Sequence, residues 1–272
     1  MIQDFFKPQT IAKALELKEK FKDEAVFMAG GTDVNCKDSK YEIEKVIGIE
    51  QLKLNQISKT QSELSIGAGV TIQELIDSPK IPDQLKTAAG HFVNRNIRNM
   101  ATIGGNIALN KSSSNLIPIL VALDAELKIG GSATPVPVYE YVTQEMTRLI
   151  EGILISPENL AKKYDLRKFS RTANDISIIT AAVTFNIQND KLSNVRVALG
   201  GVGKHVMRLT ELENKLESNK LLAPAEIEDT VKNFVAPVKD IRGGSQFKKY
   251  IAGVLVSDCF HNAHDGGGRN TS

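Results

Sequence analysis

Two segments of the 272-residue chain place adjacent glycines beside short polar side chains: Gly30-Gly31-Thr32-Asp33 and Thr102-Ile103-Gly104-Gly105-Asn106. Backbone N–H groups can crowd a phosphate only where the chain curls tightly around its oxygens, and residues without a Cβ make that approach possible. Thr32, Asp33 and Asn106 add groups that hydrogen-bond phosphate or sugar hydroxyls. Taken singly, each glycine pair reads first as a tight turn, because glycine is a common turn former. Two pairs in one chain shift the reading toward a pyrophosphate. Neither segment is the G-x-G-x-x-G dinucleotide fingerprint and no G-x-x-x-x-G-K-[ST] loop occurs in the sequence, so the Rossmann and P-loop readings are poor.

Few other residues have the types and spacing for chemistry. His91, Arg95 and Arg98 precede the second glycine pair, and guanidinium groups hold phosphate well when placed for bidentate contact, although such residues are more often simply solvated. Cys36 follows the first pair with no base partner in view, and His205 and His264 lack ligand spacing. Cys36 and Cys259 are the only cysteines, so these residues supply neither a disulfide framework nor a cysteine-held iron-sulfur cluster. The 34 basic residues nearly balance the 32 acidic ones, which gives no reason to expect nucleic acid as a partner. The start, Met1 to Lys7, has no signal-peptide pattern and no stretch approaches a membrane span. A cytoplasmic protein with no membrane partner is therefore expected.

The elements that must position the glycines are legible in outline. Thr10 is a candidate cap for a helix running to about Phe21, and the apolar run Ala25 to Met28 reads as a buried strand that delivers the first glycine pair. Val46 to Ile49 and the alternation of Leu64, Ile66 and Ala68 predict further strands, and Thr71 with Glu74 makes a capping box. Leu85, Ala88, Ala89 and Phe92 share one helical face ahead of the second glycine segment, which itself reads as a loop. Ile117 to Leu123 follows as an apolar helix, and strands are predicted around Leu127 and from Gly152 to Ile155. Pro157 and the polar stretch to Lys163 place a domain break near residue 159. Beyond it, Tyr164 to Phe169, Ile176 to Ile187 and Val195 to Leu199 predict antiparallel strands, with a hairpin at Asn189-Asp190. Two helices follow, around Ile227 to Phe234 and Phe247 to Leu255, an α+β order. The expected division is 1–158, 159–260 and a disordered tail at 261–272.

The sequence resembles the FAD-binding subunits of molybdenum hydroxylases such as xanthine dehydrogenase and carbon monoxide dehydrogenase. The likeness rests on Ala29-Gly30-Gly31-Thr32-Asp33 and Ala101-Thr102-Ile103-Gly104-Gly105-Asn106-Ile107, in that order and separation. It extends to Phe5-Phe6-Lys7-Pro8, Ile66-Gly67-Ala68-Gly69, Lys168-Phe169-Ser170-Arg171 with Asp175-Ile176, and Arg242-Gly243-Gly244-Ser245. The resemblance implies a vanillyl-alcohol-oxidase-type FAD-binding domain of two subdomains, followed by a smaller domain of antiparallel strands and helices. It implies FAD contacts from Met28, Ala29, Gly30, Gly31, Thr32, Asp33 and Val34, from Ala101, Thr102, Gly104, Gly105 and Asn106, and apolar packing from Phe92 and Ile97. Asn115 stands where the family usually has an aspartate in a Ser-Pro-x-x-Asp stretch, which here reads Lys111-Ser112-Ser113-Ser114-Asn115. Lys168 resembles a lysine near the flavin ring, where a cation favours the anionic reduced form. The implied partners are a molybdopterin-binding subunit and an iron-sulfur subunit, with NAD or another acceptor taking the electrons. The rival expectation is an assembly subunit of the same fold that has lost effective flavin binding.

Overall fold

The computed structural model describes residues 2–34, 43–92 and 94–266. Cys36 and the last part of the expected tail, from Gly267, lie outside the described residues. Among them the chain builds three sheets. The first is parallel, with strands β1 (Asp4–Phe6), β2 (Ala25–Met28) and β3 (Lys45–Gly48) in the order β1-β3-β2. Helix α1 (Ile11–Phe21) makes the crossover from β1 to β2, and the Thr10 hydroxyl caps it by accepting from the Lys13 N–H at 3.2 Å. Ala14 on this helix, Ala25 on β2 and Ile47 on β3 are fully buried together. This small sheet aims the end of β2 at the first glycine pair.

The second sheet pairs β4 (Ile57–Lys59), β5 (Leu64–Gly67), β6 (Glu126–Ile129), β7 (Val136–Pro137) and β8 (Ile150–Ile155) in the order β4-β5-β8-β6-β7, all antiparallel. Leu64 and Ile66 are buried while Ser65 between them is only half-buried, the alternation a one-sided strand requires. Around the sheet lie α2 (Ile72–Asp77), α3 (Asp83–Gly90), α4 (Arg95–Arg98), α5 (Ile103–Leu109), α6 (Ile117–Ala122), α7 (Val138–Thr143) and α8 (Pro157–Ala161). The Thr71–Glu74 capping box starts α2. α3 ends at Gly90, so Phe92 packs on the core from the turn beyond the helix rather than from its face.

The third sheet is antiparallel, with β9 (Lys163–Phe169), β10 (Ile179–Gln188), β11 (Lys191–Gly200) and β12 (Met207–Arg208) in the order β12-β11-β10-β9. Asn189 and Asp190 form the β10–β11 turn with φ of 52° and 65°, the left-handed pair that a two-residue hairpin of right-handed twist needs. Residues Ile179 to Phe185 are buried without alternation because both faces are covered. Ala182 joins the core around α6, whereas Ala181, Val183 and Phe185 face α10 (Pro224–Phe234) and α11 (Ser245–His264). The short α9 (Thr210–Leu216) has too few apolar residues to show a period and was not expected.

Three expectations shift. The break expected at residue 159 falls inside α8, and the chain enters the third sheet only at Lys163. The strand expected from Ile176 begins at Ile179, because residues 176 to 178 form a connection beside the site described below. The tail expected from residue 261 is helical to His264, since Ala263 has the third sheet's core to bury against. Among the described residues no helix is long and apolar enough to cross a membrane.

Candidate functional site

A cleft of about 700 Å³ opens between the first sheet and the second, and reaches the third-sheet domain. Its walls come from the turn after β2, the start of α5, the segment from Lys111 to Asn115, the entry to β8 and the connection Asp175 to Ser177. Fifteen of the sixteen residues expected at a cofactor line it: Met28, Ala29, Gly30, Gly31, Thr32, Asp33 and Val34; Phe92 and Ile97; Ala101, Thr102, Gly104, Gly105 and Asn106; and Asn115.

The first glycine pair makes a true turn. Gly31 has a φ of 65°, a conformation that costs a residue with a Cβ on the order of 1 kcal/mol or more. Gly30 lies so close to the strand of chain before α5 that a Cβ there would fall 1.7 Å from the Met100 carbonyl oxygen. The backbone N–H groups of Gly30, Gly31 and Thr32 have no backbone acceptor among the described residues. Successive free N–H groups around a left-handed residue form a concavity suited to an anion.

The second pair is different and corrects the reading of a loop: Gly104 and Gly105 stand in the first turn of α5. Ile103 and Ile107 bury one side of that helix, which turns Gly105 and Ala108 outward. Thr102 is the N-cap, its hydroxyl accepting from the Gly105 N–H at 3.1 Å. The Ile103 and Gly104 N–H groups donate to the Val70 and Ala68 carbonyls, each at 3.0 Å. The donors expected to cradle a phosphate are thus taken up by the protein. Gly104 is glycine for packing, since an added Cβ would sit 2.5 Å from the Ala68 Cβ. Gly105 is exposed, and a Cβ there would meet only the Thr102 hydroxyl, at 2.9 Å.

The polar run that follows holds the walls together. The Ser114 hydroxyl donates to Asn106 Oδ1 at 2.7 Å and accepts from the Leu116 and Ile117 N–H groups, capping α6. Asn115 is buried and its amide is engaged: Nδ2 donates to the His91 carbonyl at 3.1 Å, and Oδ1 accepts from the Ser177 hydroxyl. An aspartate could not donate to His91, so here Asn115 ties the two domains instead of offering a free polar group. Lys111 forms an ion pair with Asp33, and both residues line the cleft.

Lys168 is the expected residue that does not line the cleft. Its ammonium donates to the carbonyls of His91 at 3.2 Å and Ala173 at 3.1 Å, which holds it at the domain junction. Burial pulls its pKa below the usual lysine value, against the opposing pull of Asp175. Burial, and then the Lys168 charge, likewise depress His91. The residues missed from sequence are those brought in from afar: Tyr141, Arg148, Leu149 and Ile150 before and on β8, and Ile176 and Ser177. The Tyr141 hydroxyl donates to the Arg148 carbonyl at 2.9 Å, and burial raises its pKa to about 12. The Arg148 side chain is exposed and has no carboxylate partner among the described residues. No short motif surrounds it, so nothing local could have found it.

Comparison with known proteins gives this geometry its context. The family described as the FAD binding domain in molybdopterin dehydrogenase matches residues 1–157, and the CO dehydrogenase flavoprotein C-terminal domain matches residues 164–263. The chain is 35% identical over 268 residues to the uncharacterized protein YgfM of Escherichia coli, covering 98% of each. It is 25% identical over 279 residues to the putative xanthine dehydrogenase FAD-binding subunit XdhB of Escherichia coli, covering 95% of each. A carbon monoxide dehydrogenase structure from Hydrogenophaga pseudoflava superposes with a TM-score of 0.90 at 22% identity, over 97% of this chain and 98% of that one, which shows a shared fold. Both family matches fall in order on the sheets that build and close the cleft, and the chain therefore belongs to the FAD-binding subunits of the molybdopterin dehydrogenase family, oxidoreductase subunits whose cofactor is FAD.

Proposed function

We propose that this chain is the electron-transfer subunit of a molybdopterin-dependent dehydrogenase, taking electrons from iron-sulfur clusters on one partner chain, with a molybdopterin-binding chain as the other, and passing them to NAD or another acceptor. The observation that carries the reading is the single cleft walled at once by the Gly30-Gly31 turn, the open start of α5 and the Asp175–Ser177 connection. The residues fit the cofactor. The turn supplies free N–H groups to an anion, Gly105 leaves room where a Cβ would intrude, and the volume is in the range of small-molecule sites. Met28 to Val34 would hold the phosphates and adenosine, and Thr102, Gly105 and Asn106 would line the path to the ring. Phe92 and Ile97 would give it apolar surface. Asn115 and Lys168 would act indirectly, by holding the His91 carbonyl and the domain junction.

Bound FAD supplies reversible redox chemistry in one- and two-electron steps, and the protein's part is binding, orientation and electrostatics. Among the described residues no side chain in the cleft pairs with another in a nucleophile–base arrangement. The two cysteines, of which Cys259 is buried in α11, offer no cluster site, which supports clusters residing on a partner. XdhB is itself named as a subunit, in keeping with such an assembly. The test is to purify the chain with and without candidate partner chains. A yellow protein that releases FAD and not FMN on denaturation, and whose flavin is reduced by substrate only when partners are present, is the expected result. A colourless protein that stays empty after incubation with FAD favours the rival assembly role, and flavin reduction by substrate in the chain alone overturns the electron-transfer role.

A further inference from the structure

FAD carries negative charge on its phosphates, yet the turn that faces the cleft contains a carboxylate, Asp33. The charges around it narrow what can neutralise that group. Lys18 lines the cleft, but its ammonium is held by the Lys22 and Ala25 carbonyls. Asp175 is paired with Arg171 at 2.7 Å, and Arg148 has no carboxylate partner among the described residues. Asp33 is paired with Lys111, which comes from the segment after α5, 78 residues away in sequence. Both side chains line the cleft, the lysine 55% exposed and the aspartate 26%. An ion pair this exposed contributes little to folding, so its location points to a different role.

We infer that Lys111 is a binding determinant for FAD that acts by cancelling the charge of Asp33 in the cleft wall. With both present the wall is locally neutral toward an anion. Removing the lysine alone leaves an uncompensated carboxylate in the cleft wall, and its repulsion of an anionic ligand in a partly solvated site corresponds to about tenfold in affinity. Removing both restores neutrality. The two single substitutions must therefore act in opposite directions on affinity, and the double variant must bind better than Lys111→Ala alone.

The experiment measures FAD dissociation constants by flavin fluorescence quenching on apoprotein for wild type, Lys111→Ala, Asp33→Asn, the double variant and Lys111→Arg, together with apoprotein melting temperatures. The expected result is about tenfold weaker binding in Lys111→Ala, tighter binding than wild type in Asp33→Asn, an affinity between those two in the double variant, recovery of binding in Lys111→Arg, and melting temperatures that do not move. Loss of affinity in the double variant equal to or greater than that in Lys111→Ala overturns the inference. So does a fall in apoprotein melting temperature that tracks the loss of affinity, which would make the pair a structural tie. A wild-type protein that binds no FAD overturns it together with the cofactor assignment, and is distinguished by the first measurement.

Discussion

Gly30-Gly31 and Gly104-Gly105 look alike in sequence, a glycine pair followed by a short polar side chain, and the fold uses them in opposite ways. At the first pair the chain leaves a strand and turns through a left-handed residue, and the N–H groups of the turn have no backbone acceptor among the described residues. At the second it enters a helix whose first N–H groups are already held by Ala68, Val70 and Thr102. Within each pair the labour is also divided, since one glycine lets the chain pack closely on a neighbouring segment and the other does not serve that packing. Gly30 and Gly104 are the packing members, against Met100 and Ala68, whereas Gly31 supplies a positive φ and Gly105 is exposed, with only the Thr102 hydroxyl near its missing Cβ. The absence of a side chain is therefore required for two physical reasons, close approach inside the fold and close approach to a ligand.

Substitutions separate these reasons. The largest effect is expected from Gly30→Ala, whose Cβ would collide with a backbone oxygen that cannot rotate away. The collision should separate the turn from the segment before α5, with a loss of about 3 kcal/mol in stability and failure to retain FAD. Urea unfolding and flavin content check this, and a stable, yellow Gly30→Ala protein would remove Gly30 from the packing class. Next is Gly104→Ala, where the obstacle is a side-chain Cβ as well as backbone. A loss of about 2 kcal/mol is expected, partly recovered when Ala68→Gly is added, and a double variant no more stable than the single would show that Ala68 is not the neighbour that matters. The smallest effect on folding belongs to Gly105→Ala, which adds a helix-favouring residue at an exposed position and should change stability by less than about 0.5 kcal/mol. Its FAD affinity should nevertheless fall, because the Cβ occupies the cleft side of the helix. The cause is obstruction and not backbone strain, since Gly105 has no positive φ. Equal affinities in Gly105→Ala and wild type would place the cofactor away from α5 and break the comparison.

Much of this arrangement was legible residue by residue where the signal is local. The Thr10 cap, the Thr71–Glu74 capping box and the Asn189-Asp190 turn depend on neighbours a few positions apart, and each formed as its residue types require. The strand Ala25 to Met28 leading into Gly30 was visible for the same reason. Where the sequence reading went astray, the deciding partner was remote. Thr102 and Gly105 were read as loop because nothing in their own segment announces that Val70 and Ala68 will accept the next N–H groups and complete a helix start. The place of Lys168 was likewise not legible, because the carbonyls that hold its ammonium at the domain junction include that of His91, 77 residues away.

The residues by themselves determined two glycine segments suited to approaching a phosphate, their resemblance to a known family implied FAD, and periodicity and caps that act within one or two turns of chain determined most strands and helices. Only the tertiary structure decided which glycines pack on a neighbouring backbone, that Asn115 joins His91 to Ser177, that Lys111 meets Asp33, and that Arg148 reaches the same cleft. The physical reason is that burial, hydrogen-bond partnership and charge pairing are properties of the space around a side chain. That space is assembled here from segments as far apart in the chain as Lys18 and Ser177, so no local pattern encodes it.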